Sequence, residues 1–177
     1  NLDVDPGLAN TPVIFDAPAL YRLDPRAEVM IAVSGGPLWG GAEIWVSTTG
    51  DSYQLIATLT QPARHGALTE DVAEFHVSRD PLDTAAHLDT VGLVTAELTA
   101  GAQPLLTIPE EQRNAVVSPF WIEGEIMAYR DASLIAADTY QLSSLERGAY
   151  GTVAAAHSDG DRFVSLDDAV LRIPTPP

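Results

Sequence analysis

An all-β fold is predicted by three observations: apolar residues recur at alternate positions, Gly, Pro and Asp separate the runs, and no helical period persists for a useful length. Roughly eight short strands in 177 residues suit an antiparallel β-sandwich or a partly closed β-barrel with little helix. The length is enough for one domain with a substantial core, or for two small ones.

The elements follow in order. Residues 12–16 form a short apolar run before Ala17-Pro18 and read as an edge strand, while 29–33 are apolar on both faces and read as a central strand broken by Gly35-Gly36-Pro37. Residues 42–48 alternate, with Ile44 and Val46 facing away from Trp45. The turn formers Thr49-Gly50-Asp51-Ser52 follow, and Tyr53, Leu55, Ala57 and Leu59 alternate again; this is the clearest hairpin in the chain. Residues 70–75 fit a helical turn or a strand, and 91–99 predict a strand with Val94, Ala96 and Leu98 inward. Residues 119–129 read as one strand. Phe120, Ile122, Ile126 and Ala128 share one face, and Trp121, Glu123, Glu125, Met127 and Tyr129 the other, with Gly124 a mid-strand bulge. Residues 139–146 predict a strand with Tyr140 and Leu142 on one face, 147–152 a turn, and 162–166 a last strand. Gly101-Ala102-Gln103-Pro104 marks a subdivision within a single module spanning 1–177. The start at Asn1 without Met, and residues 174–177 read as a stiff linker, point to a piece of a larger protein.

Composition narrows the function. Nine basic residues, all arginine, stand against 25 acids, a net charge of −16. Such a surface repels nucleic acid and anionic membranes and keeps an exposed module soluble. There is no cysteine, so disulfides and thiolate metal sites are excluded. No apolar run approaches the roughly 20 residues of a membrane span.

Trp121 to Tyr129 reads Trp-Ile-Glu-Gly-Glu-Ile-Met-Ala-Tyr, and Tyr140-Gln-Leu-Ser-Ser-Leu-Glu-Arg-Gly-Ala-Tyr-Gly-Thr152 leads on to His157 and Gly160. These spacings resemble the C-terminal β-region of tail-tip (baseplate hub) proteins of long-tailed phages and gene transfer agents. The run from Trp45 to Tyr53 is similar to a second hairpin of that family, although here Gly50 precedes Asp51. The resemblance is close over 121–160 and looser over 40–172. It implies a structural, non-enzymatic module without cofactor, at the tail tip of an extracellular particle. It also implies partners among other tail proteins or copies of the same chain in a trimer, and proximity to a host-surface glycan or receptor. Arg147, Gly148, Gly151, Thr152, His157 and Gly160 form its turn motif. By their chemistry the glycines take positive φ, Thr152 satisfies local backbone groups, Arg147 pairs with a carboxylate or carbonyls, and His157 pins the next loop.

Other chemistry is weighed against this. Glu123 and Glu125, on one strand face beside Trp121, have the residue types of a glycosidase pair; an exposed polar strand face in a very acidic protein is the favoured explanation. Asp159 and Asp161, and Asp167-Asp168, offer oxygens for Ca²⁺ without the twelve-residue loop, and Asp3-Val4-Asp5 is a weaker candidate. The histidines lack metal-binding spacing, no Gly-x-Ser-x-Gly elbow exists, and Ser34-Gly35-Gly36 reads as a turn. Trp39, Trp45, Trp121, Tyr129 and Tyr150 suit a contact surface for protein or, alternatively, for carbohydrate. The expected function is therefore assembly, with a carbohydrate-binding module or a glycosidase using Glu123 and Glu125 as alternatives.

Overall fold

The computed structural model describes residues 9–175 apart from 24, 37, 81 and 84. Along the chain these residues form β1 (Val13–Asp16), β2 (Glu28–Ala32), β3 (Ala42–Val46), β4 (Gln54–Leu59), β5 (His65–Leu68), β6 (Leu88–Asp89) and β7 (Val94–Leu98). There follow α1 (Glu110–Asn114), β8 (Pro119–Ile122), β9 (Glu125–Ala128), β10 (Asp131–Ala136), β11 (Thr139–Ser143), β12 (Leu145–Glu146), β13 (Arg162–Ser165) and β14 (Leu171–Pro174).

Among the described residues, regular secondary structure is mostly strand, as the alternation predicts. Nine strands make one antiparallel sheet in the order β10-β11-β7-β5-β13-β8-β9-β12-β6. Because β9 runs through Tyr129 and Arg130 straight into β10, the sheet curls back towards its own start as a half-barrel. Strands from both sides of residues 101–104 interleave in it. A smaller sheet, β1-β2-β14, and a separate hairpin, β3–β4, complete the fold. The edge position of β1, the central position of β2 and the β3–β4 hairpin agree with the sequence reading.

The curled sheet has two apolar faces. Inside it pack Leu68, Val94, Ala96, Leu98, Phe120, Ile122, Met127, Leu142, Leu145 and Phe163. On the other face Trp121, Ile126 and Val164 meet Val13, Phe15, Met30 and Ala32 of the small sheet. Phe15 stacks on Trp121 at 4.1 Å between ring centroids, and the Arg162 guanidinium lies 5.2 Å from that ring centre. Burial on both faces makes this wall the thickest part of the core, which explains why β8 and β9 are apolar at nearly every position.

Two sequence readings are corrected. Residues 119–129 are a hairpin, not one strand: Phe120 pairs with Met127, Trp121 with Ile126 and Ile122 with Glu125. Glu123 and Gly124 take φ values of 37° and 101°, as a tight two-residue turn with positive φ at both centres requires. Reversal of the chain exchanges the faces, so Met127 joins Phe120 and Ile126 joins Trp121. The end of the chain is also not a linker throughout. Leu171–Pro174 pairs with β2, and Thr175 N–H bonds the Ala27 carbonyl at 2.8 Å; residues 176–177 lie outside the described ones.

At Gly66, paired with Leu98 in the curled sheet, an added Cβ would collide with the Glu97 carbonyl oxygen, a backbone atom that cannot swing aside. Gly66→Ala is expected to lower stability by about 3 kcal/mol, read from urea unfolding midpoints; an unchanged midpoint would contradict the close approach of β5 and β7.

Candidate functional site

The turn motif converges on one carboxylate. Glu125, at the start of β9 and 1% exposed, faces the segment that follows β12. Arg147 donates from Nε to Glu125 Oε1 at 2.8 Å and from Nη2 to Oε2 at 3.0 Å, a bidentate fork. The Gly148 N–H adds a bond to Oε1 at 3.0 Å, and the Ala155 N–H adds one to Oε2 at 3.1 Å. His157 Nε2 lies 2.8 Å from the same Oε2. Since a carboxylate oxygen accepts, Nε2 carries the hydrogen.

Arg147 is itself fully buried. Its Nη2 reaches the Ala155 carbonyl at 2.7 Å, and its Nη1 reaches the Ala73 carbonyl at 3.3 Å and Asp89 Oδ2 at 3.5 Å. Its own carbonyl accepts from His87 Nδ1 at 2.7 Å, and its N–H bonds the His87 carbonyl at 2.8 Å. Five stretches of chain thus meet at one ion pair: β9, residues 147–148, residues 155–157, the segment at Ala73 and β6.

Local sequence explains the loop. Gly148 and Gly151 stand at φ of 62° and 72°, which glycine takes without cost, and Gly160 at 89°. Tyr150 between them takes φ 55° and ψ 29°. Thr152 Oγ1 accepts from the Ile126 N–H at 3.0 Å and donates to the Ala149 carbonyl at 2.8 Å, tying the loop to β9. The glycines take positive φ, Thr152 bonds local backbone groups and Arg147 pairs with a carboxylate, while His157 hydrogen-bonds back to Glu125 on β9 and not to the loop that follows; Arg147, Gly148 and His157 are buried, and Gly151 and Gly160 are exposed.

Electrostatics support the arrangement. Burial pushes the Glu125 carboxyl up, but hydrogen bonds from His157 and Arg147, the Arg147 charge and the Gly148 N–H outweigh it and hold the group below its ordinary value. Glu123 is lowered first by its hydrogen bonds from Arg162, whose Nη2 lies 2.8 Å from Oε2. Glu146 is raised by burial.

The surface readings need correction. Trp121, Glu125 and Tyr129 are 3%, 1% and 5% exposed, so none belongs to a contact face. The β8–β9 turn separates Glu123 from Glu125: one pairs with Arg162 at the hairpin tip and the other with Arg147 inside, so they share no strand face. Trp45 and Tyr150 are exposed as expected, at 50% and 39%. Asp161 Oδ2 accepts from the Ser158 N–H at 2.9 Å, and the Asp159 N–H bonds Asp71 Oδ1. Asp167 pairs with Arg64 at 3.1 Å. Among the described residues, no three His, Asp or Glu side chains are grouped to hold a metal ion; Asp3 and Asp5 lie outside the described residues.

Sequence reasoning missed Asp89 and His87, which approach Arg147 from about 60 residues away with no spacing signal. It also missed a polar trio: Ser34 Oγ lies 3.0 Å from the buried His65 Nε2 and 2.8 Å from Oγ1 of the half-buried Thr99. Ser34 and His65 are 0% and 1% exposed, and burial lowers the His65 pKa, so this is a neutral internal link and not an accessible nucleophile.

A family model described as Rcc01698-like, C-terminal, matches residues 63–164. The chain belongs to this family. The matched stretch runs from just before β5 into β13, so the Rcc01698-like C-terminal region coincides with the nine-stranded sheet and the Glu125 cluster. The small sheet and the β3–β4 hairpin are built from residues outside it, apart from the face that β8, β9 and β13 present to them. No curated protein matches the chain.

Removal of one partner of a buried ion pair leaves the other charge stranded. Arg147→Met should destabilise the protein by about 3–5 kcal/mol, while Arg147→Met with Glu125→Leu should recover much of the loss; equal losses in chemical unfolding would refute the coupling. Because folding favours the ionised Glu125, its contribution is complete above its ordinary value of 4.5 and is lost as the pH falls through the lowered folded value. Wild-type stability should therefore fall more steeply than that of Glu125→Gln on acidification below about pH 4.5, a difference that unfolding curves measured at each pH would reveal.

Proposed function

We propose that this chain is a non-enzymatic structural module of a phage-type tail tip, acting through protein–protein contacts with other tail proteins or copies of itself, close to the host surface. The observation that carries the reading is the Arg147–His157 motif. It resembles the motif of tail-tip hub proteins, and here its hydrogen-bonding groups close on Glu125 inside the fold. The buried side chains of Glu125, Arg147 and His157 are engaged with one another, which supports a shape-building role for the motif. The same geometry disfavours a glycosidase, since Glu125 is buried and both carboxyls are held below their ordinary value, Glu125 by hydrogen bonds from His157 and Arg147 and Glu123 by those from Arg162, the opposite of the raised pKa a general acid needs.

Contacts would then fall on exposed side chains, of which Trp45, Tyr53, Leu55 and Ile56 of the β3–β4 hairpin form the densest apolar group close in sequence. The reading is tested by location. Gold-labelled antibody against this chain should decorate one end of tailed particles released by cells that make it. Label confined to soluble material, with bare particles, would overturn the assignment.

A further inference from the structure

We propose that the cavity between β12 and the Gly148–Gly151 loop receives an arginine side chain from a basic partner protein, held by Glu146, His87 and Tyr150. The inference rests on the assembly reading above for the source of the arginine, and it adds the chemistry of the contact.

The cavity has a volume of about 420 Å³. Glu146 lines it from β12, where its neighbour Leu145 turns into the core, so alternation sends the carboxyl the other way. That carboxyl is half-buried and takes no hydrogen bond among the described residues. Burial raises its pKa, as expected of an anion short of a partner. Arg113, whose charge reaches it, is committed elsewhere, with its donors on Ser144, Asn114 and Glu110.

The rest of the wall also accepts. His87 Nδ1 donates to the Arg147 carbonyl at 2.7 Å, so Nε2 of the neutral ring holds a lone pair. The N–H groups of Ala115, Val116 and Gly148, which border the cavity, are spent on the carbonyls of Glu111 and Arg113 and on Glu125. A ligand must therefore bring donors. Tyr150 adds an exposed aromatic ring, steadied by Tyr21 at 4.9 Å between centroids. Val116 and Tyr150 hold φ of 51° and 55°, strain of the kind that gathers at ligand clamps.

A guanidinium answers each feature. It is a planar fork of five N–H donors, able to bridge two separate acceptors, and it is weakly hydrated and stacks on aromatic rings. Net charge selects the source. At −16 the surface draws a basic protein and repels a second copy of itself. This chain's Arg64, Arg113, Arg130, Arg147, Arg162 and Arg172 each already pair with a carboxylate.

The test is an NMR titration of the ¹⁵N-labelled chain with the peptide acetyl-Gly-Arg-Gly-amide, in about 0.15 M salt to screen diffuse attraction. The expected result is saturable shifts at His87 and at 146–151, with a Kd of roughly 1–10 mM. Glu146→Gln and Tyr150→Asn should each weaken binding at least fivefold with unchanged circular dichroism. Glu97→Gln, an equal loss of charge at an exposed site elsewhere, should bind like wild type. The lysine peptide should bind more weakly, and the neutral citrulline peptide or maltotriose should leave these signals still. Absence of saturable shifts overturns the proposal. So does binding that survives Glu146→Gln or Tyr150→Asn, equal binding of the lysine or citrulline peptide, or a response to maltotriose instead. Arginine binding together with unlabelled particles would sink the tail-tip reading and leave the cavity's role standing; labelled particles with a silent cavity would do the reverse.

Discussion

The bond between Glu125 and Arg147 holds together segments that the sheet alone does not. A half-barrel curled this way needs its corner strand, β9 into β10, fastened to the long connection between β12 and β13, and that connection has little apolar residue of its own to bury. Glu125 meets the need by accepting every hydrogen bond its two oxygens can easily take, while Arg147 spends its remaining donors on carbonyls of distant segments. Desolvating two charges is expensive, and the cost is offset only because neither group is left with an unmet valence. The arrangement contributes uniqueness as much as strength: an apolar pair would tolerate several positions of the loop, whereas a forked bond between planar groups tolerates one.

A second set of contacts extends from the same wall. Trp121, on the face opposite Phe120, stacks on Phe15 of the small sheet and also meets the guanidinium of Arg162, which itself reaches Glu123 at the hairpin tip. Tyr21 adds a parallel link, its ring edge-on to Tyr150 at 4.9 Å and beneath Arg172 at 4.4 Å. The glycine-rich loop is thus pinned from inside by Glu125 and from outside by an aromatic ring.

Much of the strand content was legible because alternation reports directly on half-buried strands: Val94, Ala96 and Leu98, and Tyr140 and Leu142, are all buried as their spacing implies. It misled where both faces are covered. At 119–129 nearly every residue is apolar, so periodicity holds no information about a reversal, and only the Glu-Gly pair marked the turn. The turn motif was legible as a shape-forming unit, but its acceptor was not. Glu125 read as surface because acids usually are, and nothing within a few residues of it announces Arg147, His157 or Asp89. Pro174 looked like the start of a linker since proline is rare in strands, yet it ends β14 on the outer edge of a three-stranded sheet, where its missing N–H costs nothing.

The small sheet has a mechanical consequence. β1 and β14 flank β2 and run parallel to each other, with Val13 opposite Ala32 at one end and Pro174 opposite Glu28 at the other. Tension applied at the start of β1 and the end of β14 therefore pulls the two strands lengthwise in opposite directions past β2. Their hydrogen bonds share the load together and do not unzip one at a time, so the sheet that looks like a minor appendage is the part that would resist stretching.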